Sequence, residues 1–179
     1  MIYFIGGAPR TGKSLLSSEF IRVRPMPSLP TDFLYDIDQV RSFAGFDCLG
    51  IIEKGELFYP ILKRLVGNIY RQSEHCIIDG DVILPRHISE LSKSYEVKAC
   101  FIGLSETSLD DITSFGRHFN WPKYKIDNGM AEEVNDLAQK TSDKSSIIQS
   151  ECKKYDQRYY NLYPNYDKMK KEALEFLTS

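Results

Sequence analysis

No apolar run in this sequence extends beyond a few residues, far short of the roughly 20 that a membrane-spanning helix needs. Net charge is also nearly absent. Lys and Arg number 23 against 25 Asp and Glu, a balance of −2, so there is no general basic field for nucleic acid. Nor is there a stripe of interleaved aromatic and basic residues, which disfavours a nucleic-acid partner. The four cysteines, Cys48, Cys76, Cys100 and Cys152, form no C-x-x-C pair, which argues against a metal or disulfide role. Cys76 and Cys100 lie inside apolar runs, where reduced, buried thiols are expected. His75 and His118 have no Cys or His at metal-ligand spacing, and His87 is expected at the surface. No Ser-His-Asp or catalytic-cysteine set can be assembled. Repeats, low-complexity tracts and Pro/Gly/Ser linkers are missing too, so residues 1–179 are expected to form a single domain. The sequence opens directly on a strand-like run, which leaves no room for a signal peptide and sets a cytoplasmic expectation.

What is present is concentrated near the start. After Met1-Ile2-Tyr3-Phe4-Ile5 comes Gly7-Ala8-Pro9-Arg10-Thr11-Gly12-Lys13-Ser14, a G-x-x-x-x-G-K-S pattern, and the amphipathic stretch Leu15–Ile21 follows. Strand, glycine-rich turn, lysine and helix together make a phosphate-binding loop. Its backbone N–H groups curl around phosphate oxygens, and the helix N-terminus adds positive partial charge. Residues Gly7 to Leu15 are thus expected to cradle a nucleoside triphosphate. Lys13 would reach the β- and γ-phosphates and Ser14 would hold Mg2+.

Strand-like runs alternate with helical patterns along the rest of the chain, which argues an α/β fold with a parallel sheet. The expected strands are Ile2–Ile5, Met26–Leu29, Cys76–Asp79, Val97–Ile102 and Tyr159–Leu162. Apolar residues at helical spacing mark a helix through Leu57, Ile61, Leu65 and Ile69, a second from Met130 to Tyr155, and a third from Asp167 to Leu177. All three read as scaffold.

A phosphate loop by itself does not separate kinases from switches and motors. The guanine-specifying N-K-x-D pattern is missing, and little length remains for a mechanical ATPase. A phosphotransferase needs a carboxylate near the acceptor hydroxyl, cations for the transferred group and a cover against water. Asp32, just beyond the second strand, is placed to orient an acceptor hydroxyl, with Asp36 and Asp38 as competitors; the alternative is a helix cap, a role open to Thr31 or Asp32. Asp79 closes an apolar strand and is followed by Gly80 and Asp81, an arrangement suited to Mg2+ or to a plain turn. Arg41 and Arg86 are candidate substrate clamps. Arg117, in a Gly/Pro-bounded stretch of a lid spanning about 114–127, is a candidate catalytic cation. A solvated surface arginine is the alternative for each.

With these residues placed, the chain resembles the small P-loop kinases, a group that includes shikimate, gluconate and nucleoside monophosphate kinases and the zeta-toxin kinases. It is most similar to 2-phosphoglycerate-kinase-like members, through Thr31-Asp32-Phe33-Leu34 and Asp79-Gly80-Asp81-Val82-Ile83-Leu84-Pro85. The resemblance implies a three-layer fold with a five-stranded parallel sheet in the order 2-3-1-4-5. It also implies ATP with Mg2+, and an acceptor bound between the second-strand loop and the lid. Asp79 departs from the Glu often found at that turn. The expectation is an ATP-dependent kinase of a small hydroxylated metabolite, acting as monomer or homodimer. The alternatives are an ATP-binding regulatory protein without phosphotransfer and, more weakly, a nucleotide or nucleic-acid kinase.

Overall fold

The computed structural model describes residues 1–35, 49–72, 74–105, 107–108, 110–112 and 127–179. Five parallel strands form one sheet in the order β2-β3-β1-β4-β5, comprising β1 (Ile2–Gly7), β2 (Ser28–Pro30), β3 (Cys76–Gly80), β4 (Val97–Gly103) and β5 (Arg158–Asn161). Helices α1 (Lys13–Val23), α2 (Asp32–Tyr35), α3 (Ile51–Arg71), α4 (Pro85–Leu91), α5 (Ala131–Lys154) and α6 (Tyr166–Thr178) complete the described elements. This is the three-layer α/β architecture and strand order that the resemblance implied.

The central strands are buried on both faces, and so they read as unbroken apolar runs rather than as alternation. On one face Phe4, Ile78 and Phe101 pack with Phe58, Leu62 and Val66 of α3, Ile88 and Leu91 of α4, and Ile148 of α5. On the other, Tyr3, Ile5, Ile77 and Ile102 meet Leu16 and Phe20 of α1 and Ala173 and Leu177 of α6. Cys76, Cys100 and Cys152 are free and buried, and burial pushes their thiols up, to about 11 for Cys76 and about 12 for Cys152. Cys48 lies outside the described residues. Among those residues no helix is long and apolar enough to cross a membrane.

All five strands differ from the expected bounds by a residue or two, and two departures have a clear physical reason. β2 is Ser28–Pro30 rather than Met26–Leu29 and runs through Pro30, because at the sheet edge a missing N–H costs no ladder bond. A seven-residue helix, α4, opens on Pro85, whose absent N–H is harmless at a first helical position. This helix also overturns the expectation of a surface histidine. His87 is 2 % exposed and stacks on Tyr59 with ring centroids 4.4 Å apart. Its Nδ1 accepts the Leu84 N–H at 3.4 Å, and burial lowers its pKa to about 4.

At the upper edge of the sheet, the segment after β2 is fastened to the end of β3. The Thr31 N–H donates to the Asp79 carbonyl at 2.7 Å, and the Thr31 side chain is fully buried over Gly80. A Cβ on Gly80 would stand 1.7 Å from Thr31 Oγ1 and 2.9 Å from Thr31 Cβ, so the turn accepts only glycine without displacing its neighbour. That contact fixes where α2, and with it Asp32, begins.

Two outcomes follow from this packing. Gly80→Ala should lower the urea-unfolding free energy by about 1–3 kcal/mol, and adding Thr31→Ala should recover part of the loss. Equal stability of Gly80→Ala and wild type would refute the close contact. For His87 the unfolded imidazole titrates near 6.5 and the folded one near 4, so the unfolded state takes up the proton first as pH falls. Stability should therefore drop by on the order of 2–3 kcal/mol between pH 6.5 and 4. In His87→Phe that acid limb should flatten; an unchanged limb would assign it to other groups.

Candidate active site

The loop between β1 and α1 owes its shape to a few backbone positions. Gly12 takes a left-handed conformation at φ 89° that side chains rarely adopt, and Arg10 is left-handed as well at φ 61°. Gly12 offers no capping side chain and α1 has no acidic residue in its first turn. The helix thus starts with orphan N–H donors and uncompensated positive dipole, the conditions for binding an anion.

Below this opening the Ala8 carbonyl, itself fully buried, accepts two hydrogen bonds of 2.8 Å, one from Lys13 Nζ and one from Thr11 Oγ1. Lys13 is only 8 % exposed. Burial pushes its pKa down, while Asp81, Asp32 and Asp79 pull it back up and Lys144 lowers it further. Asp79, at the end of β3, is 3 % exposed and accepts a 3.3 Å hydrogen bond from Ser14 Oγ on its Oδ2. Burial raises its pKa, the Ser14 hydrogen bond and the Lys13 ammonium lower it, and Asp32 raises it. The other carboxylate oxygen, Oδ1, is buried with no hydrogen-bond partner among the described residues.

These groups line an open cleft of about 460 Å³ formed by Pro9, Arg10, Gly12, Lys13, Ser14, Leu15, Asp32, Asp79 and Asp81. The phosphate loop, Asp32 and Asp79 are therefore brought together, with Ala8 and Thr11 beneath them, Gly7 closing β1 and Gly80 under Thr31. Asp32 falls in the first turn of α2, so the capping alternative shifts to Thr31, whose carbonyl accepts the Leu34 N–H at 2.9 Å. Arg86 is not in the cleft lining. Its Nε and Nη2 make a bidentate pair with Glu151 of α5, both at 2.7 Å, and its Nη1 reaches Glu56 of α3 at 3.0 Å. A clamp on substrate is thus replaced by a brace between helices. Arg41, Asp36, Asp38 and Arg117 lie outside the described residues, as does the expected lid apart from Asp127.

An unopposed carboxylate oxygen beside a serine hydroxyl fits Mg2+, which takes one or two protein oxygens and completes its shell with phosphate and water. Among the described residues no cluster of three His, Cys, Asp or Glu side chains forms a separate metal cage. Sequence reasoning missed Lys144, on a helix read only as scaffold. The usable signal was Thr141 and Ser145, two polar residues on the buried stripe of α5. Thr141 Oγ1 donates to the Leu137 carbonyl at 2.8 Å and lies 3.5 Å from the Pro9 carbonyl, and Ser145 Oγ accepts the Leu104 N–H at 3.0 Å, so this face of α5 packs beside the phosphate loop and the end of β4.

No protein-family model matches the chain, and no curated protein matches it. Among solved structures it is similar to a gluconokinase from Sinorhizobium meliloti 1021, at 13% identity and TM-score 0.54, over 99% of this chain and 90% of that one. An uncharacterized protein from Eubacterium ventriosum ATCC 27560 aligns at 14% identity and TM-score 0.51, over 99% and 98%. Shikimate kinase from Aquifex aeolicus vf5 aligns at 15% identity and TM-score 0.49, over 99% and 96%. Sheet order, phosphate loop and the overlap with the gluconokinase together give this chain the fold of the small P-loop kinases.

Proposed function

We propose that the chain is an ATP-dependent small-molecule kinase, transferring the γ-phosphate to a hydroxyl of a small metabolite. The observation that carries this reading is the convergence of Lys13, Ser14, Asp79 and Asp32 on one cleft. The first three suit the triphosphate and its metal; the fourth has no role in nucleotide binding and suits an acceptor.

In this mechanism the orphan N–H groups of α1 bind phosphate oxygens, and the Lys13 ammonium exchanges the Ala8 carbonyl for the β- and γ-phosphates. Ser14 Oγ and Asp79 would hold Mg2+, which when bound would neutralise charge on the phosphates. Asp32 accepts the proton of the acceptor hydroxyl as its oxygen bonds to the γ-phosphorus. The bond from that phosphorus to the β–γ bridging oxygen breaks and ADP departs. Asp32 then returns its proton to solvent. Arg117 of the lid is assigned to shielding the transferred group, and Arg41 to the acceptor. Positioning and electrostatics supply nearly all of the rate.

Nucleotide affinity by calorimetry and turnover by coupled ADP detection over a panel of hydroxylated metabolites separate the two halves of the site. Asp32→Asn should keep ATP affinity within about threefold while turnover falls by roughly 10²–10⁴. Lys13→Ala should lose at least about a hundredfold in transfer with the fold intact by circular dichroism. Transfer by Lys13→Ala at the wild-type rate sinks the mechanism. Tight ATP binding with no acceptor phosphorylated favours a regulatory nucleotide-binding protein instead.

A further inference from the structure

Because the strands are parallel, the phosphate loop stands at one end of the sheet and the starts of β4 and β5 at the other. Between α5 and β5 the chain turns through Asp156, which is left-handed at φ 51°. The Gln157 N–H donates to the Cys152 carbonyl at 2.9 Å and closes the end of α5. Two depressions meet at this turn, of about 580 and 240 Å³, and Asp156, Gln157 and Arg158 line both of them. Lys153 borders the first, while Lys98 and Phe176 border the second. Neither shares a residue with the phosphate cleft.

This foot of the sheet is basic. Lys98 Nζ lies 5.0 Å and Arg158 Cζ 5.5 Å from the centre of the same Phe176 ring. Lys98 Nζ also donates to Ser179 Oγ at 3.2 Å. Among the described residues no carboxylate forms an ion pair with Lys98, Lys153 or Arg158. The acids of α6 nearest in sequence to Phe176 are engaged elsewhere, Glu172 with Lys168 at 3.9 Å and Glu175 with Lys171 at 3.7 Å. Asp156 is the one acid lining either depression, against three cations. Like charges held beside one ring repel each other, and a multiply charged anion between them removes that repulsion. Arg158 presents a fork that matches carboxylate or phosphoryl oxygens, and the lysines add point charges. The larger depression has the volume of a small-ligand pocket.

We propose that Lys98, Lys153 and Arg158 form a second binding site, at the foot of the sheet, for a small anion bearing two or more carboxylate or phosphoryl groups. Arg158, which lines both depressions, holds one group, and Lys98 and Lys153 receive the others from either side. The site takes no part in phosphoryl transfer and does not rest on the kinase reading.

Isotope-labelled full chain, free of nucleotide and metal, is titrated with citrate and with pyrophosphate, against sodium chloride of equal ionic strength, and followed by amide NMR. Amides of Lys98, Gln157 and Arg158 report the foot of the sheet, and those of Gly12 to Ser14 report the phosphate loop. Wild type should show saturable shifts at the foot with at least one polyanion and none with chloride. Arg158→Gln should weaken that binding by roughly tenfold to a hundredfold, and Lys98→Gln by roughly tenfold. Any response of the phosphate loop should stay within about threefold of wild type in both variants, whose spectra also report an intact fold. Tighter binding of citrate assigns a carboxylate ligand, and of pyrophosphate a phosphorylated one. Shifts confined to the phosphate loop, shifts reproduced by chloride, or undiminished binding by Arg158→Gln overturn the site and leave the kinase reading intact. Absence of phosphoryl transfer removes the kinase reading and leaves this site standing.

Discussion

A lysine ammonium held out of water needs negative surroundings, and the upper edge of this sheet is organised around that requirement. Lys13 gains a direct acceptor in the Ala8 carbonyl and a field from Asp79 and Asp81 at the end of β3 and from Asp32 at the start of α2. The arrangement is costly on both sides, since the Asp79 pKa is itself raised by burial and one of its oxygens has no partner among the described residues. A buried cation beside an under-satisfied carboxylate is poor as structure. It is suited to a site in which phosphate and a divalent cation enter together, the one meeting a buried ammonium and the other an under-satisfied carboxylate.

The position of Asp32 depends on a different kind of constraint, one of close packing. Asp32 lies on the cleft because the Thr31 backbone is hydrogen-bonded to Asp79 and the Thr31 side chain fills the place where Gly80 has no Cβ. The same two residues, Asp79 and Gly80, thus hold the start of α2, and Asp79 lines the cleft as well. Behind them Arg86 braces α3 and α5.

The phosphate loop and the strands were legible in the sequence because their determinants are local. Gly12 answers a backbone conformation, and strands buried on both faces announce themselves as apolar runs such as Ile2–Ile5. Strand order was not legible from periodicity and came only with the family resemblance. Asp32 and Asp79 could be picked out because strand ends are where an open sheet presents ligands. Arg86, His87 and Lys144 were misread or missed for one shared reason. Their surroundings are made by residues far away in sequence, as with Arg86 and Glu151, 65 positions apart. Local pattern marks Arg86 as a free cation and Lys144 as a solvated helix position; only the crossing of α3, α4 and α5 shows otherwise.

The central claim is that this cleft moves a phosphoryl group to a small molecule rather than merely holding a nucleotide. Its most direct test supplies ATP bearing heavy oxygen on the γ-phosphate, with Mg2+, to the full chain in a polar metabolite extract, and reads the products by mass spectrometry. The account predicts a heavy phosphoryl group on a small metabolite, present with wild type and missing with Lys13→Ala. Heavy oxygen found only in inorganic phosphate, or retained entirely in ATP, would contradict it.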